Sequence, residues 1–382
     1  MPRIRIAVNT RLLIRNRLDG IGWFTYETLS RITKAHPEVS FYFFFDRKPD
    51  PGFLFSDNVK PIVISPQARH PLLFVVWFEI SVARMLRKIK PDLFLSPDGY
   101  LSLSTRTESL AVMHDLNFEH FPADLPWLVR WYYRFFFPRF AHKAVRIATV
   151  SEYSKRDIIA QYGVPDSLVD VVYNGSSTKF VPLSASEISQ VRTTYSDGKP
   201  YFLFVGSLHP RKNLARLFAA FDLFRDESPD DIELLVIGEK LWWTRSIRES
   251  YENMKHRDNV HFCGRLGMDE LCRVTASALA VTYVSCFEGF GIPIVEAFNA
   301  GVPVITSNVT SMPEVAAEAA EYVDPYDAGS IKNALKRVSS SPELRAHLVE
   351  LGFKRSRDFS WDKTAQLLWE SIQKAMNQHK NI

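Results

Sequence analysis

Two glutamates eight positions apart stand in Phe287–Phe298, which reads FEGFGIPIVEAF. Gly289 and Gly291, on either side of Phe290, let the chain turn sharply. Pro293 suits the first position of a helix. Glu288 therefore belongs to a loop and Glu296 to the first helical turn, and both can face one site. An ionised carboxylate accepts hydrogen bonds and donates none, so the pair suits the paired hydroxyls of a sugar or a ribose. Glu296 taken alone is also a favourable charge for a helix N-terminus.

Three further loops carry polar residues at strand ends. In VGSLHPRKNL (205–214), Gly206 and Ser207 follow an apolar run, and Arg211 and Lys212 precede a helix that Asn213 is expected to cap. The helix dipole disfavours cations there. A bound diphosphate would reverse that sign, because arginine, lysine and amide donors would converge on it; the alternative is two basic side chains pointing to water. In VMHDLNFEHFP (112–122), His114 and Asp115 end a strand, where an imidazole can bond a hydroxyl or polarise a leaving group, or serve structure alone. In LDGIGWF (18–24), Gly20 and Gly22 open a helix, where amides can approach a phosphate or simply make a tight turn. The third glycine of a dinucleotide fingerprint is missing, which argues against an NAD dehydrogenase.

The elements that must hold these loops alternate strand and helix in two series. The first contains the runs at 4–10, 40–46, 61–65, 92–96, 109–114, 146–151 and 169–174; the second those at 201–206, 232–238, 259–264, 279–285 and 302–307. Short, nearly continuous apolar runs separated by amphipathic stretches predict parallel sheets covered on both faces. Ligands of such sheets bind beyond the carboxyl ends of the strands. The expected domains are 1–178, joined by a C-terminal helix at about 361–382 that crosses back to it, and 199–360, with 179–198 as linker. Ala365, Leu368, Trp369 and Ile372 give that last helix one apolar face.

The 382 residues suit two domains, and 46% hydrophobic with 24% charged residues is ordinary soluble composition. Residues 1–180 hold 24 Lys and Arg against 17 Asp and Glu, so the basic excess lies in the first half. It favours an anionic partner such as a phosphorylated acceptor, a membrane surface or nucleic acid, or is a modest surface bias. In 126–146 (PWLVRWYYRFFFPRFAHKAVR) every charge is positive among aromatics, and 71–90 has a similar character. Such stretches lie at a membrane interface or form core helices whose cations reach outward. Cys263, Cys272 and Cys286 lack metal-ligand or disulfide spacing and are expected to be buried free thiols. The chain starts directly on a strand pattern and has no apolar stretch long enough to span a bilayer, so neither a signal peptide nor a transmembrane helix is expected.

EGFGIPIVEA, followed by NAGVPVITS, SMPEV (311–315) and VDP (323–325), resembles the C-terminal signature of family 4 glycosyltransferases, also called glycosyl transferases group 1. DGIG, HD (114–115), TVSEYSKRDI (149–158), YNG (173–175) and GSLHPRKN (206–213) agree in order, so the resemblance covers nearly the whole chain. It implies a GT-B fold, two Rossmann-like doubly wound domains facing an interdomain cleft, with acceptor on the first and donor on the second. It implies a retaining hexosyltransferase that needs no metal or cofactor. Glu288 would hold hydroxyls of the transferred sugar, Glu296 the ribose, and Lys212 the donor diphosphate. His114 would lie beside the reacting sugar, with Asp115 toward the acceptor, and Gly20 near the phosphates. Gly22, Gly206, Gly289, Phe290 and Gly291 would complete the donor loops. Ser207 stands where many members have arginine, and Arg211 is expected to substitute. The expected reaction moves mannose from GDP-mannose to a polysaccharide or lipid-linked oligosaccharide of the cell envelope, at the cytoplasmic face of the membrane and without nucleic acid. A sugar-nucleotide epimerase or a non-catalytic sugar-nucleotide-binding scaffold at the membrane is the alternative.

Overall fold

The computed structural model describes residues 4–68, 70–228, 230–239 and 243–377. Residues 1–3 of the expected first domain and 378–382 of the expected last helix lie outside them. The chain divides into two compact units, Met1–Asn174 with Trp361–Ile382, and Gly175–Ser360.

The first unit is built on seven strands: β1 (Arg5–Asn9), β2 (Ser40–Phe45), β3 (Val59–Val63), β4 (Leu93–Ser96), β5 (Ser109–Val112), β6 (Arg146–Thr149) and β7 (Val169–Val171). All pair in parallel, in the order β3-β2-β1-β4-β5-β6-β7. β4 and β5 are buried along their whole length, which is why they read as uninterrupted apolar runs. Trp77, Phe94 and Phe140 lie in the core fully buried, and the Trp77 indole satisfies its one donor on the carbonyl of Ile64 at 3.0 Å. The order reverses between β1 and β4, so the loops following these two strands diverge and leave a crevice at the sheet's carboxyl edge.

The last helix, Trp361–Asn377, belongs to this unit, as its apolar face predicts. It packs on the helix Gly20–Ala35, with His36 stacked on Trp369 at 3.7 Å. Thr364 donates to the carbonyl of Tyr173 (2.7 Å), and Ser371 and Lys374 both donate to Asp170 (2.8 Å each). Burial would raise the Asp170 carboxyl, but bonds from Arg146, Lys374 and Ser371 hold it down at about 2.

The second unit repeats the plan with β8 (Tyr201–Val205), β9 (Glu233–Ile237), β10 (Val260–Gly264), β11 (Ala280–Tyr283), β12 (Val304–Ser307) and β13 (Ala320–Val323). They too are parallel, in the order β10-β9-β8-β11-β12-β13, with the reversal between β8 and β11. The sequence reading has no counterpart to β13. Its four residues, AEYV, form a short edge strand against β12 and are only half apolar. The stretch read as a linker, 179–198, contains the helix Ala185–Ser196, closed by a capping box between Ser184 and Glu187, and this helix packs on β9 and β10. Cys272 and Cys286 are buried free thiols, whereas Cys263 is partly exposed. Among the described residues no helix is long and apolar enough to cross a membrane.

Candidate active site

In the second unit the loops after β8 and β11 meet at the reversal of strand order, and they carry Lys212 and Glu288. Lys212 closes a short helical turn, Pro210–Lys212, whose start is tied by the His209 ring accepting from the Arg211 amide at 3.2 Å. Its side chain is buried, not turned to water. Lys212 Nζ lies 2.6 Å from Glu288 Oε1 and donates to the Tyr283 hydroxyl at 2.8 Å. Arg211 Nη1 donates to Glu288 Oε2 and to the carbonyl of Phe287, each at 3.0 Å. Burial alone would raise the Glu288 carboxyl; Lys212 and Arg211 outweigh it and hold it down at about 2. Glu288 is thus ionised at any working pH and is no proton donor. Burial pushes the Tyr283 phenol up, with the Glu288 charge adding to it.

The backbone around this cluster is fixed from several sides. Ser311 Oγ donates to the carbonyls of Glu288 (2.9 Å) and Phe290 (3.1 Å), and the Glu288 amide donates to Thr310 Oγ1 (3.3 Å). Phe290 is buried against Phe359, ring centres 5.4 Å apart. Gly291 takes φ +107° at the start of the helix Ile292–Asn299, and a Cβ there would come within 3.0 Å of Ile294 and 3.3 Å of Tyr283. Gly238, after β9, has a firmer reason still: its Cβ would sit 1.9 Å from the carbonyl oxygen of Gly206. Gly206 and exposed Ser207 therefore begin the Lys212 loop with another strand's end pressed against them.

Asn213 stands at the start of the helix Leu214–Glu227 but does not cap it, a correction to the expectation above. It adopts φ +64°, and its Nδ2 bridges the carbonyls of Val284 (2.9 Å) and Pro325 (2.7 Å). Arg216 reaches back to Asn213 Oδ1 (2.7 Å) and Pro325 (3.1 Å). This brace links the loops after β8, β11 and β13.

Glu296 lies beyond the first turn of its helix, a correction to the reading from Pro293: the helix begins at Ile292, so Pro293 is its second residue and Glu296 its fifth, and the side chain is half-buried. Its carboxylate has no hydrogen-bond or ion-pair partner among the described residues, and burial pushes it up to about 7. The two glutamates are therefore unlike: one is clamped by two cations, the other is open.

In the first unit, His114 follows β5. Its Nε2 lies 2.8 Å from the carbonyl oxygen of Pro97, and its ring meets Phe24 edge-on at 4.9 Å. A carbonyl only accepts, so Nε2 carries the proton and Nδ1 is left as an acceptor. Burial lowers its pKa and keeps the ring neutral. Asp115 Oδ1 accepts from both the amide (3.0 Å) and side chain (2.5 Å) of Asn117, so one oxygen is spent on that turn. The Gly22 amide donates to Asp19 Oδ1 at 2.8 Å, while Gly20 faces open space. Sequence reasoning missed Tyr283, Thr310, Ser311 and Arg216. Of these, only Ser311 had a signal, in the SMPEV motif.

Residues 18–180 match the family model described as Glycosyltransferase Family 4, and residues 186–355 match Glycosyl transferases group 1. O-antigen chain mannosyltransferase B of Escherichia coli is 26% identical over 91% of this chain and 94% of its own length. O-antigen chain mannosyltransferase RfbU of Salmonella typhimurium is 26% identical over 72% of each chain. Among solved structures, Anabaena Alr3699/HepE in complex with UDP-glucose has a TM-score of 0.75 at 18% identity, covering 97% of this chain and 100% of that one. At such identity that likeness speaks for the fold alone. With related family models matching on either side of residue 180 and a parallel sheet of reversed order in each part, the chain is a GT-B glycosyltransferase related to the group 1 and family 4 enzymes, one that moves a sugar from a nucleotide-sugar donor to an acceptor.

Proposed function

We propose that this glycosyltransferase is a retaining mannosyltransferase that uses GDP-mannose and extends a polysaccharide or lipid-linked oligosaccharide of the cell envelope. The observation that carries the reading is the buried cluster of Lys212, Arg211 and Glu288 at the strand-order reversal of the second sheet. In this reading the second unit holds the donor. Lys212 and Arg211 meet the charge that develops on the departing diphosphate. Glu288 keeps both cations in place and accepts from hydroxyls of the transferred sugar, and the open carboxylate of Glu296 accepts from the ribose. Gly206, Ser207 and Gly289 give the phosphates close backbone approach.

No side chain of the cluster is a free nucleophile, which suits a same-face displacement through an oxocarbenium-like state. The acceptor belongs to the first unit, with His114 Nδ1 beside the reacting centre. Mannose is favoured by the two mannosyltransferases named above, each 26% identical to this chain over the aligned residues.

The same reading puts the protein at the cytoplasmic face of the membrane. The helix Trp127–Lys143 leaves Trp127 72% and Trp131 49% exposed, and with Arg130, Arg134, Phe135 and Arg139 they line one recess. Among the described residues those three arginines have no acidic partner. The earlier segment 71–82 adds exposed Leu72 and Ile80. Aromatic and cationic side chains together suit an anionic bilayer surface.

The test is a thermal-shift screen of the purified chain against GDP-, UDP- and ADP-sugars, followed by transfer to a lipid-linked acceptor. Stabilisation by GDP-mannose with retained anomeric configuration in the product is expected. Binding of none of these sugars would sink the proposal, and binding of a UDP-sugar alone would sink the donor assignment.

A further inference from the structure

The first sheet has its own strand-order reversal, between β1 and β4, and a cavity of ≈ 560 Å³ opens there. It is lined by residues of the loops after β1 and β4 together with Arg47, Tyr133 and Ile21. A cavity of that size holds a ligand of several rings or groups.

Its polar surface is made of arginine edges. Arg11 is 7% exposed, with its guanidinium carbon 4.3 Å from the centre of the Tyr100 ring and 4.9 Å from that of Phe74. Its Nε is fixed on Asp98 Oδ2 at 2.7 Å. The aromatic rings and Asp98 set the plane of the guanidinium; Nη1 also donates to the carbonyl of Ala68 at 3.5 Å, and Nη2 is left for the cavity. Arg47 uses Nε and Nη2 on Asp46 (2.6 and 2.9 Å), which leaves Nη1. Arg17 is exposed and has no acidic partner among the described residues.

The carboxylates nearby are already used. Asp98 accepts from Asn9 (2.7 Å), Ser96 (3.0 Å) and Arg11, and Asp46 from Arg47 and the amide of Ala68 (3.1 Å). What remains open is therefore donor and cationic. A neutral sugar ring needs acceptors as well as donors, whereas convergent guanidinium forks match the oxygens of a phosphate. Ile21 adds the N-terminal turn of the helix Gly20–Ala35, whose dipole favours the same sign of charge.

We propose that this cavity is a receptor for a phosphate or diphosphate group carried by the acceptor, with Arg11 and Arg17 as its principal contacts. The word acceptor here rests on the function proposed above; the anion site itself does not.

The test titrates inorganic phosphate and inorganic diphosphate calorimetrically into the full chain carrying Lys212→Ala, so that the second-unit cluster does not compete. Binding of diphosphate is expected to persist in that chain and to weaken at least tenfold when Arg17→Glu is added. Arg11→Lys keeps the charge beside Asp98 but removes the fork, and is expected to weaken binding as well. Since Arg11 is buried, Arg17→Glu at an exposed position keeps the test readable should Arg11→Lys fail to fold. No diphosphate binding by the Lys212→Ala chain, or binding indifferent to both arginine changes, would overturn the proposal. Competition by vesicles doped with a polyprenyl diphosphate supports the site with a lipid-borne group. Competition only by a soluble phosphorylated sugar supports it with a free one. A native chain, with Lys212 in place, that binds diphosphate here yet transfers no sugar would sink the transferase reading and leave the site standing.

Discussion

The ammonium of Lys212 and the carboxylate of Glu288 are 2.6 Å apart, although they come from loops that follow different strands, β8 and β11. Both side chains are buried, with side-chain exposures of 10% and 7%. Pairing two ions in such a place recovers only part of what their desolvation costs, so the pair is a poor device for stability alone. Its position at the reversal of strand order gives it another use.

Lys212→Ala is expected to lower kcat by a factor of about 10²–10³, the usual loss on removing one donor from a developing oxyanion. It also leaves Glu288 buried with Arg211 alone, so the loss in unfolding free energy stays below about 3–5 kcal/mol, the cost of a buried charge left with no partner. The double variant Lys212→Met with Glu288→Gln removes both charges. It is expected to recover much of the stability and none of the activity. Calorimetric unfolding together with turnover checks this; recovery of both together would show that the pair is only structural.

Tyr283 positions Lys212 without being a ligand in this scheme. Tyr283→Phe keeps the ring that packs beneath Gly291 and removes the hydroxyl that Lys212 bonds at 2.8 Å. One hydrogen bond of about 0.5–1.5 kcal/mol corresponds to roughly a 2–12-fold change, expected in kcat with donor KM nearly unchanged. A loss confined to KM, or to thermal stability, would contradict the positioning role.

The sheets were legible from short apolar runs because both faces of a parallel strand are buried, and β4, LFLS, reads that way at sight. β13 was not, because an edge strand with Glu321 and Tyr322 half-exposed carries little such signal. Glu288 and Glu296 could be separated by loop and helix because Pro293 and two glycines are local markers. What could not be read was which groups those residues meet. The burial of Lys212 depends on Tyr283 and Glu288, some seventy residues further along the chain. Arg11 likewise looked like one more cation of a basic half, and its fixed plane comes from Tyr100 and Asp98 in the loop after β4. Asn213 had the residue type of a cap and is used instead as a bridge to Val284 and Pro325. Local sequence proposes backbone geometry; partners brought by other strands decide what a polar side chain does.

Glu296 gives a pH signature of its own. Its carboxyl is pushed up to about 7 from an ordinary 4.5. Between those values the folded chain binds a proton that the unfolded chain does not, so the contribution to stability is full below about 4.5 and is lost as pH rises through 7. Glu288 runs the other way: its contribution is present above 4.5 and is lost as pH falls toward 2. Glu296→Gln is therefore expected to flatten the fall in melting temperature between pH 5 and 8 relative to the native chain, by a modest amount because the side chain is half-buried. Melting curves across that range check it, and parallel slopes in the two proteins would refute it.

His114 separates chemistry from donor binding. Its Nε2 proton is committed to the carbonyl of Pro97 at 2.8 Å, and burial lowers its pKa, which favours the neutral ring. Its open nitrogen, Nδ1, can accept a proton or a hydroxyl hydrogen bond but cannot donate. Removal of that acceptor by His114→Ala is expected to reduce transfer by about 10²-fold, within the range for a positioned acid or base, while nucleotide-sugar binding to the second unit changes little. His114→Asn offers an amide that can keep the bond to Pro97, so partial rescue by Asn over Ala would assign part of the effect to loop geometry. Because burial favours the neutral imidazole, protonation of this residue should set in only below the ordinary histidine value of 6.5. A pH–kcat profile with a limb at or above 6.5 that disappears in His114→Asn would show the ring titrating no lower than an ordinary histidine and would remove the assignment of Nδ1 as a standing acceptor.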